Sequence, residues 1–338
     1  MKRHLPWWAS ALIVLAIASY SWYQRQPAHA PDFEFDGPAI VIHGGAGVIT
    51  RENMSPEMEA LVRSSLERVL DSGYAALERG EDRMDVVVRV LGMLESDSLF
   101  NAGIGAVVTS EGIAELDASV MDGETKHAGA VAGLRHILHP AALAREVMMH
   151  SNHVFLIGNG AEAFAVERGM NLVDNDTFLT HRRHAQYARW AEQHKRGTVG
   201  VVLRDREGHL AAGTSTGGMM GKQWGRVGDV PVLGAGTYAD DQGSAISCTG
   251  HGEYFIREAV AYQVNARMQF GDQTLAYAAH DVLFNVLNAN TGQGGLIGIN
   301  AQGQAVLQFN SPGMYRGAKG QLKGNSKEIH RFVGIYGD

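Results

Sequence analysis

The sequence predicts an α+β fold of stacked antiparallel sheets covered by helices. Two observations carry that prediction: hairpin patterns dominate the strand regions, and the helical patterns come as groups that flank them. A doubly wound parallel sheet would alternate strand and helix instead. Composition adds a third. With 338 residues, 45% hydrophobic and 19% charged, the chain has core enough for one large domain or two small ones. Its 42 glycines against 8 prolines imply tight turns and close backbone approaches, not a linker-rich chain. A formal net charge of -7 gives no electrostatic case for a nucleic-acid partner. The single cysteine, Cys248, excludes an intrachain disulfide framework and a Cys-rich zinc site.

The N-terminal stretch stands apart. Lys2-Arg3-His4 is followed by a largely apolar run from Pro6 to Tyr23 and by Ala28-His29-Ala30, a small-x-small cleavage pattern. Residues 1–30 read as an export signal with a periplasmic destination. Pro31 is a poor residue after a cleavage point, and an apolar run of about 18 residues is long enough to remain as an anchor. Removal and retention therefore both stay open. One cysteine is compatible with an oxidising compartment.

Ala39 to His43 reads as a buried strand running into His43-Gly44-Gly45-Ala46-Gly47. The spacing is not G-x-G-x-x-G, so a tight turn with close packing accounts for it better than a dinucleotide site. His43 alone reads as structural. Ser55-Pro56-Glu57 is a helix start, with a cap, a first-turn proline and an acid at the positive dipole end. Met58, Leu61, Val62, Leu66, Val69, Leu70 and Leu77 follow at helical spacing until Gly80. A second helix covers Met84 to Leu94. The loop Glu95 to Gly105 leads to a predicted hairpin, Ala106 to Thr109 and Ile113 to Met121, with Asp117 and Asp122 readable as solvated turn residues. Ala128 to Leu134 is a strand, Pro140 to Met149 a helix, Val154 to Gly158 a strand and Ala161 to Gly169 a helix. Asn171 to Arg196 has no strand pattern and is basic. His150-x-x-His153 and His181-x-x-His184 lack acidic or cysteine partners and read as solvated faces, not metal sites. Val199 to Leu203 and His209 to Thr214 form the next hairpin, and Ala245 to Thr249 a strand. Two long helices follow, Glu253 to Met268 and Thr274 to Leu287, then a last strand pair, Gly294 to Ile299 with Ala305 to Phe309.

Three threonines meet glycine beside short apolar strands: Thr198 after Gly197, Thr216 before Gly217-Gly218 and Thr249 before Gly250. Taken alone, Gly197-Thr198 is a linker entering a core strand. A cut there, however, would give Thr198 a free amine beside its hydroxyl. A threonine hydroxyl is a poor nucleophile until a base takes its proton. An α-amine, with an ordinary pKa of about 7.7–8.0, can be that base. Thr249 and Gly250 are oxyanion-hole candidates, because a glycine N–H can approach a reacting carbonyl unobstructed. Arg226 and Asp229 share one Gly-rich turn. They could clamp the carboxylate and ammonium of one small zwitterion, or form only a surface ion pair.

A longer set of motifs carries a family resemblance: IHGGAG (42–47), LFNAGIGAV (99–107), ELDASVMDG (115–123), AGAVAG (128–133), GTVG (197–200), TSTGG (214–218), GRVGD (225–229), GAGTYA (234–239), CTGHGE (248–253), GGLI (294–297) and GMYR (313–316). From Ala39 to Arg316 the chain resembles the plant-type asparaginases and isoaspartyl aminopeptidases, which are N-terminal-nucleophile hydrolases. The resemblance implies a four-layer αββα sandwich. It implies self-cleavage before Thr198 into an α subunit of 31–197, with 175–197 as a processing linker, and a β subunit of 198–338 of the same domain. A dimer of αβ units is implied as well. Thr198 would be the nucleophile, Thr216 the support for its hydroxyl and amine, and Thr249 with Gly250 the oxyanion hole. Arg226 would hold the substrate α-carboxylate and Asp229 its α-amine. Gly252 would line the same pocket, and Asn101 would lie near the nucleophile. No catalytic cofactor is implied. Backbone carbonyls of Leu94, Glu95, Asp97, Phe100, Ala102 and Ile104 would bind a structural sodium ion. The implied reaction releases L-aspartate from L-asparagine or from β-aspartyl (isoaspartyl) peptides.

The departures from the family pattern are modest. Val230 follows GRVGD where the family often has Ser, and the segment before Gly197 is short. Glycosylasparaginase, with the same mechanism, is the nearest alternative. Its T-N-G and T-G-D-G forms are replaced here by Thr216-Gly217-Gly218 and Thr249-Gly250-His251-Gly252-Glu253. A non-catalytic exported amino-acid-binding protein would use the same pocket, but the intact nucleophile, clamp and oxyanion set argue against it. Cys248 as nucleophile would have to act from within a strand, where a buried thiol is usually inert.

Overall fold

The computed structural model describes residues 30–180, 197–324 and 328–337. The expected export segment before Ala30 and the basic run containing His181-x-x-His184 lie outside the described residues. Among the described residues no helix is long and apolar enough to cross a membrane.

In chain order the elements are β1 (Phe33–Gly47), α1 (Pro56–Glu78), α2 (Arg83–Glu95), β2 (Leu116–Asp122), β3 (Ala128–Leu134), α3 (Pro140–His150), β4 (Phe155–Ile157) and α4 (Gly158–Glu167). After residue 197 come β5 (Val199–Arg204), β6 (Leu210–Thr216), β7 (Thr237–Ala239), β8 (Ser244–Gly250), α5 (Gly252–Arg257), α6 (Val260–Gly271) and α7 (Leu275–Asp281). The chain closes with β9 (Gly294–Asn300), β10 (Gln304–Phe309), β11 (Gly313–Leu322) and β12 (Ile329–Tyr336). One sheet has the order β4-β3-β2-β6-β5-β1-β11-β12, and the other β10-β9-β8-β7. Phe33 and Glu34 of β1 also pair with β10. Within the pairing of β1 with β11 a register shift falls between Asp36 and Ala39, after which β1 also pairs with β5, and Gly37 within the shift takes the left-handed φ of 72° that glycine adopts freely. Every pairing of named strands is antiparallel except β3 with β4, in keeping with the hairpin pattern.

Alternation along each strand sorts side chains between two faces. On the first sheet Ile40, Ile42, Leu116, Val120, Val201 and Leu203 pack against Leu66, Leu70, Val87, Leu91 and Leu143 of α1, α2 and α3. The alternate residues Ala39, Val41, Met121, Val202 and Ala212 turn the other way and meet Ala245, Ile297 and Ile299 of the second sheet. The far face of that sheet, Ile246, Cys248, Leu296 and Val306, is covered through Val260 and Val264 of α6 and Leu275 and Ala279 of α7. Helix, sheet, sheet and helix make the expected four-layer αββα sandwich. Local signals seat the helices. Ser55 Oγ accepts the Met58 N–H at the start of α1 (3.2 Å), and Asp82 Oδ1 accepts those of Met84 and Asp85 at the start of α2.

Four expectations need correction. Ala106 to Thr109 is not a strand: Val108 makes one bridge to Ala114, and Thr109 one to Lys222. The Val107 N–H goes instead to the Asn101 side chain (2.7 Å), which bends the segment around the preceding loop. Asp117 and Asp122 are buried, not solvated. The helix expected from Glu253 to Met268 breaks at Ala259, a left-handed residue with φ 45°. The break lets the first N–H groups of α6 reach loop carbonyls, Ala261 to Ala235 (3.2 Å) and Tyr262 to Gly234 (2.8 Å). The helix from Thr274 passes at Asp281 into a π-type segment, Val282–Leu287. β7, β11 and β12 escaped the pattern reading. β11, GMYRGAKGQL, is held by pairing on both sides rather than by its own propensity.

Candidate active site

At one end of the inter-sheet layer the apolar residues give way to polar ones. The alternation that turns Val41, Val202, Ala212, Met121 and Ala245 inward also turns His43, Thr214, Thr216, Asp117, Ser119, Ser247 and Thr249 inward, all of them buried. Thr198 stands just before β5 at this end and is 6% exposed. Its Oγ1 donates to Oγ1 of Thr216, the last residue of β6 (3.3 Å). Thr216 Oγ1 donates in turn to the carbonyl of Gly197 (3.0 Å) and accepts the Gly218 N–H (2.9 Å). Asn101 Nδ2 donates to the same Gly197 carbonyl (2.6 Å) and to that of Gly218 (2.8 Å). The carbonyl preceding Thr198 is therefore gripped by two side-chain donors, the arrangement that stabilises an oxyanion. His43 to Gly47, expected as a tight turn, instead continues β1 through a register shift between His43 and Gly45, and Gly45 passes so close that a Cβ there would lie 3.1 Å from Gly197 Cα and 3.2 Å from Thr198 N.

Gly197, Thr198, Thr216, Arg226, Asp229, Gly250 and Gly252 line one cleft, with a volume of about 10 Å³, room for roughly one water. A larger surface hollow of about 850 Å³, lined by Arg68, Arg89, Gly92 and His139 among others, includes none of these residues. Asp229 is buried, and burial pushes its carboxyl up to about 7 against the pull of Arg226. Its Oδ2 has no hydrogen-bond partner among the described residues, so it remains an acceptor facing no donor. Arg226 is not paired with Asp229. Its Nε donates to Glu253 Oε1 (2.8 Å), a residue the sequence reading did not single out. The other edge of the guanidinium lies over glycines: a Cβ on Gly228 would come 2.9 Å from Nη1, and one on Gly252 2.9 Å from Nη2. Thr249 stands one step back from the cleft, its Oγ1 accepting the Ala46 N–H (3.1 Å). Cys248 faces the helices instead, and burial pushes its thiol well up.

The loop 94–105 curls on itself. Ile104 N–H reaches Glu95 O (2.7 Å), Asp97 N–H reaches Leu94 O, and Phe100 N–H reaches Asp97 O (3.2 Å each). Gly103 has φ 47°, and a Cβ there would sit 2.2 Å from Glu95 O. The Glu95 carboxylate is buried, its Oε1 accepting from Ala141 N–H and Ser215 Oγ and its Oε2 facing His139 Nδ1 (3.3 Å), while that of Asp97 accepts Leu99 N–H and pairs with Arg68. Both are committed to the fold, which leaves backbone carbonyls, with their second lone pairs, as the loop's donors. That is a donor set for a hard cation and not for a thiophilic metal. Among the described residues no group of three or more His, Cys, Asp and Glu side chains could hold a metal ion. His150 and His153 are exposed, as expected.

His43, read from sequence as structural, touches the nucleophile candidate directly. Its Nδ1 donates to the Thr198 carbonyl (3.2 Å), and burial pushes the imidazole down to about 3, so it is neutral. The signal that would have found it is period-2 alternation: it falls on the same inward face as Ala39 and Val41.

A family model described as "Asparaginase" matches residues 36–328. The isoaspartyl peptidase of Salmonella typhimurium is 49% identical over 292 residues, which cover 82% of this chain and 93% of that protein. The isoaspartyl peptidase of Escherichia coli is 47% identical over 292 residues, covering 82% and 91%. A Rattus norvegicus protein named isoaspartyl peptidase/L-asparaginase is 38% identical over 284 residues, covering 81% and 84%.

Proposed function

This chain belongs to the asparaginase family, and from that premise we propose that it is a self-activating threonine hydrolase. It releases L-aspartate from β-aspartyl (isoaspartyl) peptides and from L-asparagine. The observation that carries this reading is the Gly197 carbonyl, held by Asn101 and Thr216 beside the Thr198 hydroxyl.

In the first reaction Thr198 Oγ1 attacks the Gly197 carbonyl carbon. Asn101 and Thr216 donate to the oxygen as it gains charge. The C–N bond breaks, the hydroxyl proton ends on the departing nitrogen, and a Gly197–Thr198 ester remains. Water hydrolyses that ester and leaves Thr198 with a free amine and hydroxyl. β5 and β6 lie between β2 and β1 in one sheet, so ladder bonds would keep the two pieces together. Departure of Gly197 would also open a cleft that in the uncut chain has room for about one water.

In the second reaction the Thr198 amine takes the hydroxyl proton, and Oγ1 attacks the side-chain carbonyl of the bound aspartyl group. The proton passes to the leaving amine, or to ammonia from asparagine, and water then releases aspartate. Arg226 would hold the substrate α-carboxylate and Asp229 its ammonium, supplying the charge the buried Oδ2 lacks. Gly250 and Thr249 are the proposed oxyanion donors and Gly252 the floor of the pocket. A sodium ion on carbonyls of Leu94, Glu95, Asp97, Phe100, Ala102 and Ile104 would stiffen the loop that carries Asn101. Export by the N-terminal segment and a dimer of αβ units complete the reading.

Side-by-side assays on β-aspartyl-leucine, L-asparagine and a glycosylated asparagine test it. Hydrolysis of the first two with little of the third is expected. Activity confined to the glycosylated substrate, or none on any of them, would contradict it.

A further inference from the structure

One row of polar side chains crosses the inter-sheet layer just behind Thr198. In the first sheet, strand register sets His43, Gly200, Thr214 and Ser119 side by side across β1, β5, β6 and β2. In the second sheet, Ser247 and Thr237 are partners across β8 and β7. Hydrogen bonds join the two rows alternately. Because His43 Nδ1 donates to the Thr198 carbonyl, its Nε2 accepts from Ser247 Oγ (3.0 Å). Ser247 then accepts from Thr214 Oγ1 (2.7 Å), and Thr214 from Thr237 Oγ1 (2.6 Å). Ser119 Oγ has one hydrogen for two acceptors, Thr237 Oγ1 (2.8 Å) and the Val230 carbonyl (2.5 Å). All five side chains are fully buried. Gly200 is the gap through which the row closes: a Cβ there would lie 2.1 Å from Ser247 Oγ and 2.3 Å from His43 Nε2.

The row begins at the peptide group of Thr198 and ends at the residue next to Asp229. An apolar row of similar shape would fold about as well, since buried hydroxyls contribute little net stability and cost much when one is left unbonded. We propose that this row is a positioning device that fixes Thr198 relative to the loop carrying Asp229. His43, Ser247, Thr214, Thr237 and Ser119 act through Thr198 and Val230 and touch no substrate, so they are positioning residues. The proposal rests on the functional reading above in taking Thr198 as nucleophile and Asp229 as a substrate contact.

Thr214 gives the sharpest test, because its hydroxyl and its methyl can be removed separately. Thr214→Val keeps the shape and breaks the row; Thr214→Ser keeps the hydroxyl and removes a methyl. In Thr214→Val, kcat on β-aspartyl-leucine and the rate of self-cleavage should both fall about ten- to a hundredfold. KM should stay within about twofold, and Thr214→Ser should recover most of the loss. Ser247→Ala should behave like Thr214→Val, and it decides the matter if the valine variant fails to fold. Wild-type rates in Thr214→Val or Ser247→Ala, or a serine variant more damaged than the valine one, would overturn the proposal and leave the row a packing feature. A wild-type protein that neither cuts itself nor hydrolyses β-aspartyl-leucine would overturn the functional reading and this inference with it.

Discussion

The two faces of β1, β2, β5 and β6 are built from the same strands. Toward α1, α2 and α3 most residues are apolar, as with Ile40 and Ile42, or Leu116, Ala118 and Val120. The polar residues on that face are matched: Ser215 to the buried Glu95 carboxylate (2.7 Å), and Asp122 at the end of β2 to Arg83 of α2 (3.0 Å). Toward the second sheet, Val41, Val202, Ala212 and Met121 are followed at one end by His43, Thr214, Ser119 and Asp117. One face holds the fold, and the other gives up part of its core to polar groups around Thr198, the proposed nucleophile. Each inward residue is the neighbour of an outward one locked into the helix layer, so the polar end inherits rigidity.

Breaking the inner face at its tip should have the largest effect. Thr198→Ala should leave an uncut chain whose activity is down about 10⁴-fold or more, read by denaturing gel and β-aspartyl-leucine assay, with its melting temperature close to wild type. Asn101→Ala removes one of the two donors on the Gly197 carbonyl. Self-cleavage should slow about 10²–10³-fold, followed as the time course of fragment appearance; an unchanged rate would remove Asn101 from the oxyanion role. The outer face should answer differently. Leu91→Ala, at a fully buried site against β6, should cost about 2–5 kcal/mol of stability in denaturant titration, with kcat unchanged.

Smaller effects separate the two ends of the proposed clamp. Arg226→Ala should raise KM roughly ten- to a hundredfold, the worth of a charge-assisted hydrogen bond, with a lesser change in kcat. Steady-state parameters equal to wild type would rule out the clamp. Asp229 gives a pH signature. Its folded value of about 7 lies above the ordinary carboxylate range, so the free protein should lose stability as pH rises from about 4 to about 7, where only the unfolded chain ionises fully. Asp229→Asn should abolish that decline. In the wild type KM should rise below about pH 7, as the carboxyl proposed to pair with the substrate ammonium takes up a proton.

The layered fold was legible because hairpins and helix periodicity are local signals. The β5–β6 hairpin, the α1 cap at Ser55 and the α2 helix all follow from neighbours in sequence. What escaped was set by tertiary partners. β11 is a strand because β1 and β12 flank it, and the break at Ala259 exists because Gly234 and Ala235 offer carbonyls to α6. The site divides in the same way. Thr198, Thr216, Arg226, Asp229, Gly250 and Gly252 were each visible as motif residues, and they line one cleft. The pairing of Arg226 with Glu253 and the contact of His43 with Thr198 join residues far apart in the chain. Only the inward phase of β1 hinted at the second.

The central claim is that Gly197–Thr198 is a bond the protein cuts in itself before it works. Intact-mass spectrometry of the purified active protein, with N-terminal sequencing of each fragment, tests that most directly. Two fragments are expected, the C-terminal one beginning Thr198-Val199-Gly200. A single uncut chain that hydrolyses β-aspartyl-leucine at full rate would contradict it.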